Sequence, residues 1–244
     1  MKSTWKKMLF VDGIFVYMIA AVLSVSYYRE QTARTREGMP AFGGATEAEA
    51  GAAADPYREM GKRVALTFDD GPNPYYTEPL LAGLSERGVK ATFFLLGKEV
   101  EKHPEIVEEI QKQGHIIGNH SYQHEQLSRL SDEAACGQVE RTNELIHGIT
   151  GEYPLYLRPP YGDWKDGLDC ETIMIEVLWD VDPRDWATSD TAAVVKRVTG
   201  KVQDGDIILM HDASESSVKA ALEVVDRLKA EGYQFVTVEE LLLE

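Results

Sequence analysis

Val64-Ala65-Leu66-Thr67-Phe68-Asp69-Asp70-Gly71-Pro72 is an apolar run that ends on two adjacent carboxylates and a Gly-Pro turn. The run reads as a strand, and neighbouring side chains on a strand point to opposite faces. Where a strand end twists into a turn, both side chains can reach one cleft. Two carboxylates there can divide labour, one gripping a cation and the other handling protons. A capped turn accounts for the same residues, because Asp-Gly and Gly-Pro are ordinary turn punctuation.

Downstream, strand-like and helix-like segments alternate. The strands are read at 64–68, 91–96, 116–119, 155–158, 176–181, 206–210 and 235–238. Amphipathic helices are read at 79–87, 104–113, 131–150, 191–201 and 217–231, among others. Gly88, Gly114 and Gly232 sit where helices end. Alternating β and α elements imply a parallel sheet.

The chemically capable residues recur at one place in this pattern. Asp69 and Asp70 follow the first strand, His120 the third and Arg158 to Gly162 the fourth. Asp182 and Asp185 follow the fifth, and His211-Asp212 the sixth. In parallel α/β architectures functional groups gather at the C-terminal ends of strands. A closed or nearly closed barrel brings all these ends to one mouth, whereas an open sheet spreads them along an edge. The expected fold is therefore a distorted (β/α) barrel, TIM-like, with about seven parallel strands.

His120-Ser121-Tyr122-Gln123-His124 places two imidazoles four residues apart, which on a helical turn puts both on one face. Neutral imidazole suits zinc and its neighbours. With a carboxylate from Asp69-Asp70, the set is the three-ligand arrangement of a catalytic site with an open position. In Arg158-Pro159-Pro160-Tyr161-Gly162 two prolines fix φ and remove two donors, so the first free N–H belongs to Tyr161. Arg158 can pair with a carboxylate and orient it. Trp179 lies inside a strand and reads as core, while Trp186, beyond it, reads as a cleft wall. His211 ends a buried strand beside an acid, the setting of a tuned general acid. His103, His115 and His147 read as structural.

The 244 residues suggest one substantial domain with extras, and the hydrophobic fraction of 43% is ample for a core. A formal net charge of −16 argues against nucleic acid as a partner. The two cysteines, Cys136 and Cys170, form no CxxC pair, so a cysteine zinc site is not expected. Both fall in segments read as helical, and they read as free thiols rather than a disulfide. Lys2, Lys6 and Lys7 precede an apolar stretch from Met8 to Tyr28. About 20 apolar residues span a bilayer, so residues 1–28 read as a transmembrane signal-anchor helix with the remainder extracytoplasmic at the cell membrane. The alternative is a cleaved signal peptide and secretion. Residues 29–61 are rich in Ala, Gly, Glu and Thr and read as a flexible linker reaching about 30 Å. Residues 62–244 form the main domain.

Taken together and in order, TFDDGP, HSYQH, RPPYG, WDVDPRDW and LMHD resemble the motifs of the polysaccharide deacetylase family. These are the proteins with the NodB homology domain, carbohydrate esterase family 4. The resemblance covers residues 62 to 244. It implies a distorted βα barrel and metal-dependent removal of N-acetyl groups from amino-sugar polymers. Carried over by position, Asp69 resembles the general base, and Asp70, His120 and His124 the metal ligands. Arg158 resembles the residue orienting the base, and Tyr161 the donor to the oxyanion. His211 resembles the general acid, with Asp185, or else Asp182, as its partner. Trp186, Leu209 and Pro160 resemble the substrate pocket. Ile116-Ile117 departs from the pattern, where the family often has an acid. The implied cofactor is a divalent metal, zinc first, with cobalt, nickel, manganese or iron also compatible. The implied substrate is an N-acetylated cell-wall glycan, peptidoglycan N-acetylglucosamine foremost. Chitooligosaccharide and O-acetyl xylan are the alternatives. A wall-binding module without activity would lack a ligand, the base or the acid, and none is missing.

Overall fold

The structure is a computed structural model that describes residues 61–243, except 166, 169 and 171–173. The Met8–Tyr28 anchor and nearly all of the linker lie outside the described residues. Among the described residues no helix is long and apolar enough to cross a membrane.

Seven strands make one sheet: β1 Arg63–Asp69, β2 Thr92–Leu95, β3 Ile116–Asn119, β4 Tyr156–Leu157, β5 Ile175–Glu176, β6 Ile207–His211 and β7 Gln234–Val236. Every pairing is parallel, in the order β5-β4-β3-β2-β1-β6, with β7 beside the start of β1. Among the described residues seven α-helices accompany them: α1 Thr77–Glu86, α2 Gly97–Val100, α3 Pro104–Lys112, α4 Asp132–Thr150, α5 Thr191–Thr199, α6 Glu215–Ala230 and α7 Val238–Leu242.

The period of two along β1 decides what faces where. Val64, Leu66 and Phe68 pack outward into a cluster with the helices, against Leu80, Leu84, Val224 and Leu228. Ala65 points the other way, into a smaller inner cluster with Phe94, Tyr156 and Val177. Thr67 and Asp69 share that inner face by alternation. In β6, Ile208 and Met210 join the outer cluster, so Leu209 and His211 face inward with Thr67 and Asp69. Burial of both faces explains why β1 is almost continuously apolar. Inner space is tight: a Cβ on Gly118 would lie 2.5 Å from Cδ1 of Phe94.

Several expectations are corrected. The fifth strand is short, because only Ile175 and Glu176 pair with β4. The chain then leaves the ladder and touches β6 through a single bridge, Val181 to Ile208. The sheet is thus a curved parallel α/β layer, consistent with a distorted barrel, loosely joined between β4 and β6. Val238 opens α7 instead of ending a strand, because Thr237 caps that helix with Glu240 in a reciprocal box. Cys136 lies in α4, but Cys170 lies outside any helix, and the two form a disulfide with Cα atoms 5.4 Å apart. Helical periodicity gave no sign that Cys170 sits in a loop folded back on α4.

Candidate active site

Adjacent strand ends bring the site residues together by register. Asp69 pairs with His211 across β1 and β6, and Asn119 pairs with Leu157 across β3 and β4. The residues that follow, His120 and Arg158, are therefore neighbours.

Asp69 is buried, and its Oδ1 lies 2.7 Å from Nη1 of Arg158. That guanidinium is fully buried and spends its other donors on protein oxygens. Nη1 also reaches Thr67 Oγ1 at 2.7 Å, Nε the Val177 carbonyl at 3.0 Å and Nη2 the Leu178 carbonyl at 3.0 Å. The plane lies 4.2 Å from the Phe94 ring centroid. Burial pulls the Arg158 pKa down, and Asp69 opposes this.

Asp70 does not continue the strand. Its φ of 74° is left-handed, a region that Asp tolerates better than most residues. This turn swings its carboxylate to the mouth that Asp69 faces, so Oδ1 lies 3.5 Å from both His120 Nε2 and His124 Nε2. That oxygen is buried and has no hydrogen-bond partner among the described residues.

The two histidines are not on a helical turn, contrary to expectation. They lie in a loop where Ser121 and His124 both have φ of 65°. Asn119 braces it by accepting from the Ser121 N–H at 2.7 Å and donating to Asn143 and to the Val139 carbonyl. His120 Nδ1 lies 2.6 Å from the Arg158 carbonyl, so Nδ1 carries the proton and Nε2 presents its lone pair to Asp70. Burial lowers the His124 pKa against the raising charge of Asp70, which favours the neutral, ligating form. The ligand atoms of Asp70, His120 and His124 all lie within 4.8 Å of one another. An orphaned carboxylate oxygen facing two imidazole nitrogens fits a divalent cation of the zinc class.

His211 is held by both oxygens of Asp185: Oδ1 is 2.9 Å from Nδ1, and Oδ2 accepts its backbone N–H at 2.9 Å. Nε2 is left facing the mouth, 4.0 Å from Asp70 Oδ2. Burial disfavours the imidazolium, but the Asp185 hydrogen bond and the charges of Asp185, Asp69 and Asp70 outweigh it and raise the pKa to about 9. Asp182 makes no bond to His211 and accepts the Arg184 N–H instead, so Asp185 is the partner of the two weighed.

Two cavities share Asp70, His124 and Tyr161. One, of about 410 Å³, is walled by Asp69, His211, Leu209, Trp186 and Trp179. The other, of about 550 Å³, is bounded by the Pro72–Pro74 turn, Leu96, Lys98 and Gln123. Tyr161 has φ of 63°, and its exposed ring stands 4.7 Å from that of His124. Pro160 is buried and lines neither cavity.

Three site residues escape the sequence reading. Trp179 is half-buried and walls the smaller cavity rather than filling the core. Thr67 meets the same Arg158 nitrogen as Asp69, and its being the polar residue within the apolar run was the available signal. Asp212 is buried, accepts a short hydrogen bond from Thr77 and backs onto Gly71, whose Cβ would come within 2.8 Å of its Oδ2. Burial pushes its pKa up to about 7.

Comparison with known proteins agrees with this geometry. Residues 57–172 match the family model described as polysaccharide deacetylase. The chain is 43% identical over 180 residues to the peptidoglycan-N-acetylmuramic acid deacetylase PdaC of Bacillus subtilis, covering 74% of this chain and 38% of that protein. It is 37% identical over 191 residues to a peptidoglycan-N-acetylglucosamine deacetylase of Bacillus cereus, covering 74% and 88%. The solved structure of PdaC superposes with a TM-score of 0.72 at 43% identity, covering 74% of this chain and 90% of that one. The chain spans about two fifths of the length of PdaC and of the Listeria monocytogenes deacetylase PgdA, at 38% and 40%. With this likeness and this constellation at the strand ends, the chain belongs to the polysaccharide deacetylase family.

Proposed function

We propose that this protein hydrolyses N-acetyl groups of a cell-wall glycan, peptidoglycan N-acetylglucosamine foremost, releasing acetate and a free amine. The observation that carries this reading is the separation of tasks around one cavity. Asp69 is bound to Arg158, Asp70 faces two histidines, and His211 is bound to Asp185. The relatives' names support a glycan amide as the substrate.

Asp70, His120 and His124 would hold the cation, zinc first. When bound, it supplies Lewis-acid polarisation of the acetamide carbonyl and acidifies water. The rest falls to the chain. Asp69 has Oδ1 occupied by Arg158, so Oδ2 takes the proton of the attacking water. Arg158 keeps that carboxylate from rotating. The Tyr161 N–H donates to the oxyanion, an interaction worth roughly 3–4 kcal/mol in comparable sites. His211 Nε2 protonates the departing amine, and Asp185 steadies the imidazolium. Leu209, Trp179 and Trp186 exclude water from the acetyl methyl group.

The same reading puts the domain outside the cytoplasm, tethered to the cell membrane by Met8–Tyr28. Sedimentation with membranes, lost on deleting residues 1–28, tests the tether. Acetate release from peptidoglycan, chitooligosaccharide and acetylated xylan in parallel, after chelation and metal readdition, tests the activity. Release from none of the three rejects it.

A further inference from the structure

Among the described residues lining the two mouth cavities, Lys98 is the one lysine or arginine. Its place is set by three consecutive backbone bonds. Leu96 N–H donates to the Gly71 carbonyl at 2.9 Å, Gly97 N–H to Ser121 at 3.0 Å and Lys98 N–H to Tyr122 at 3.1 Å. The start of α2 is thereby stitched between the Asp70 turn and the His120–His124 loop. A side chain on Gly97 is excluded, since its Cβ would lie 2.4 Å from Thr142 Oγ1, so the stitch sits close against α4.

Nearby acids are otherwise engaged. Glu99 pairs with Lys102 at 3.1 Å, Glu101 accepts from Tyr122 and pairs with Arg141, and Asp70 Oδ1 faces the two histidines. Lys98 is half-buried and has no ion-pair partner among the described residues. A lysine on an anchored backbone, lining the cavity and without an ion-pair partner among the described residues, in a chain of net charge −16, is complementary to an anionic part of a substrate.

We propose that Lys98 reads a carboxylate on the glycan, carried within one sugar unit of the reacting acetamide. This is the chemistry of a lactyl ether on the sugar ring or of the peptide attached to it. The proposal rests on the deacetylase reading and sharpens it: the larger cavity takes an acidic glycan in preference to a neutral one. The lysine acts by charge-assisted hydrogen bonding, so its contribution falls with added salt.

The test compares glycan fragments bearing free lactyl or peptide carboxylates with the same fragments after amidation. kcat/KM is measured for the wild type and for Lys98→Gln, Lys98→Glu and Lys98→Arg. The wild type is expected to prefer the free carboxylate by about tenfold. Lys98→Gln should bring the ratio close to one, Lys98→Glu should take it below one, and Lys98→Arg should keep most of the preference. A ratio of one in the wild type, or the same ratio in wild type and Lys98→Gln, overturns the proposal while leaving deacetylation intact. No acetate from any fragment with the wild type overturns the deacetylase reading itself, and this proposal with it.

Discussion

Asp69 and Asp70 are neighbours in the chain whose nearest partners differ, although His120 Nε2 also lies 3.7 Å from Asp69 Oδ2. Asp69 Oδ1 is 2.7 Å from the buried Arg158 guanidinium, and Asp70 Oδ1 is 3.5 Å from each of two imidazole nitrogens. The left-handed backbone at Asp70 produces the difference. It breaks strand alternation at the residue where both carboxylates must open on one mouth.

The Arg158–Asp69 pair is almost wholly buried. Replacing Arg158 by Ala leaves a buried carboxylate uncompensated and strips donors from Thr67, Val177 and Leu178. Breaking one side of such a pair costs about 3–5 kcal/mol. Urea unfolding of Arg158→Ala should show that loss, together with acetate release reduced by roughly a hundredfold or more. Stability within ~0.5 kcal/mol of wild type would show that the network is not structural.

In the proposed reaction His211 donates a proton, so its protonated fraction should set the alkaline side of the pH–rate profile. A pKa raised to about 9 means the proton is present below that pH and lost as pH rises through it. A cation held at Asp70 would oppose part of the rise, so the limb is expected at or below about 9. Asp185→Asn removes a raising influence and should move the limb to lower pH by about one unit or more. A profile unmoved by Asp185→Asn contradicts the pairing.

Gly71 has no room for a side chain, because its Cβ would lie 2.8 and 3.0 Å from the two oxygens of Asp212. Gly71→Ala must push Asp212 off Thr77 or displace the Asp70 turn. The expected cost is about 1–3 kcal/mol, as for other overpacked sites, with weakened metal binding by equilibrium dialysis. Adding Asp212→Ser to Gly71→Ala should recover part of the stability. No recovery would place the strain elsewhere.

The Cys136–Cys170 disulfide closes a loop with a sequence separation of 34. Chain-entropy reasoning gives about 3–4 kcal/mol for a loop of this size. Cys136→Ser/Cys170→Ser should lower stability by that order in urea unfolding, and reductant should do the same to the wild type. Equal unfolding curves with and without reductant would argue against the bridge.

Much of the site was legible because strand ends are legible. The apolar run into Asp69, the run into His211 and the prolines after Arg158 each mark where a strand stops, and parallel topology gathers those stops. What was not legible depends on backbone handedness and on loops. Nothing in His120 to His124 distinguishes a helical turn from a loop with two left-handed residues, because either brings the imidazoles together. Trp179 reads as core by its place in an apolar segment, yet the ladder ends at Glu176 and the indole turns to the cleft. Cys170 sits in a segment whose pattern imitates a helix, which concealed its reach to α4.

The division of labour between the two aspartates is tested most directly by metal content and acetate release measured side by side for Asp69→Asn and Asp70→Asn. The expected result is that Asp69→Asn retains its metal and loses roughly two to four orders of magnitude in acetate release, while Asp70→Asn loses the metal and the activity together. Near-normal turnover in Asp69→Asn, or an undiminished metal content in Asp70→Asn, would contradict it.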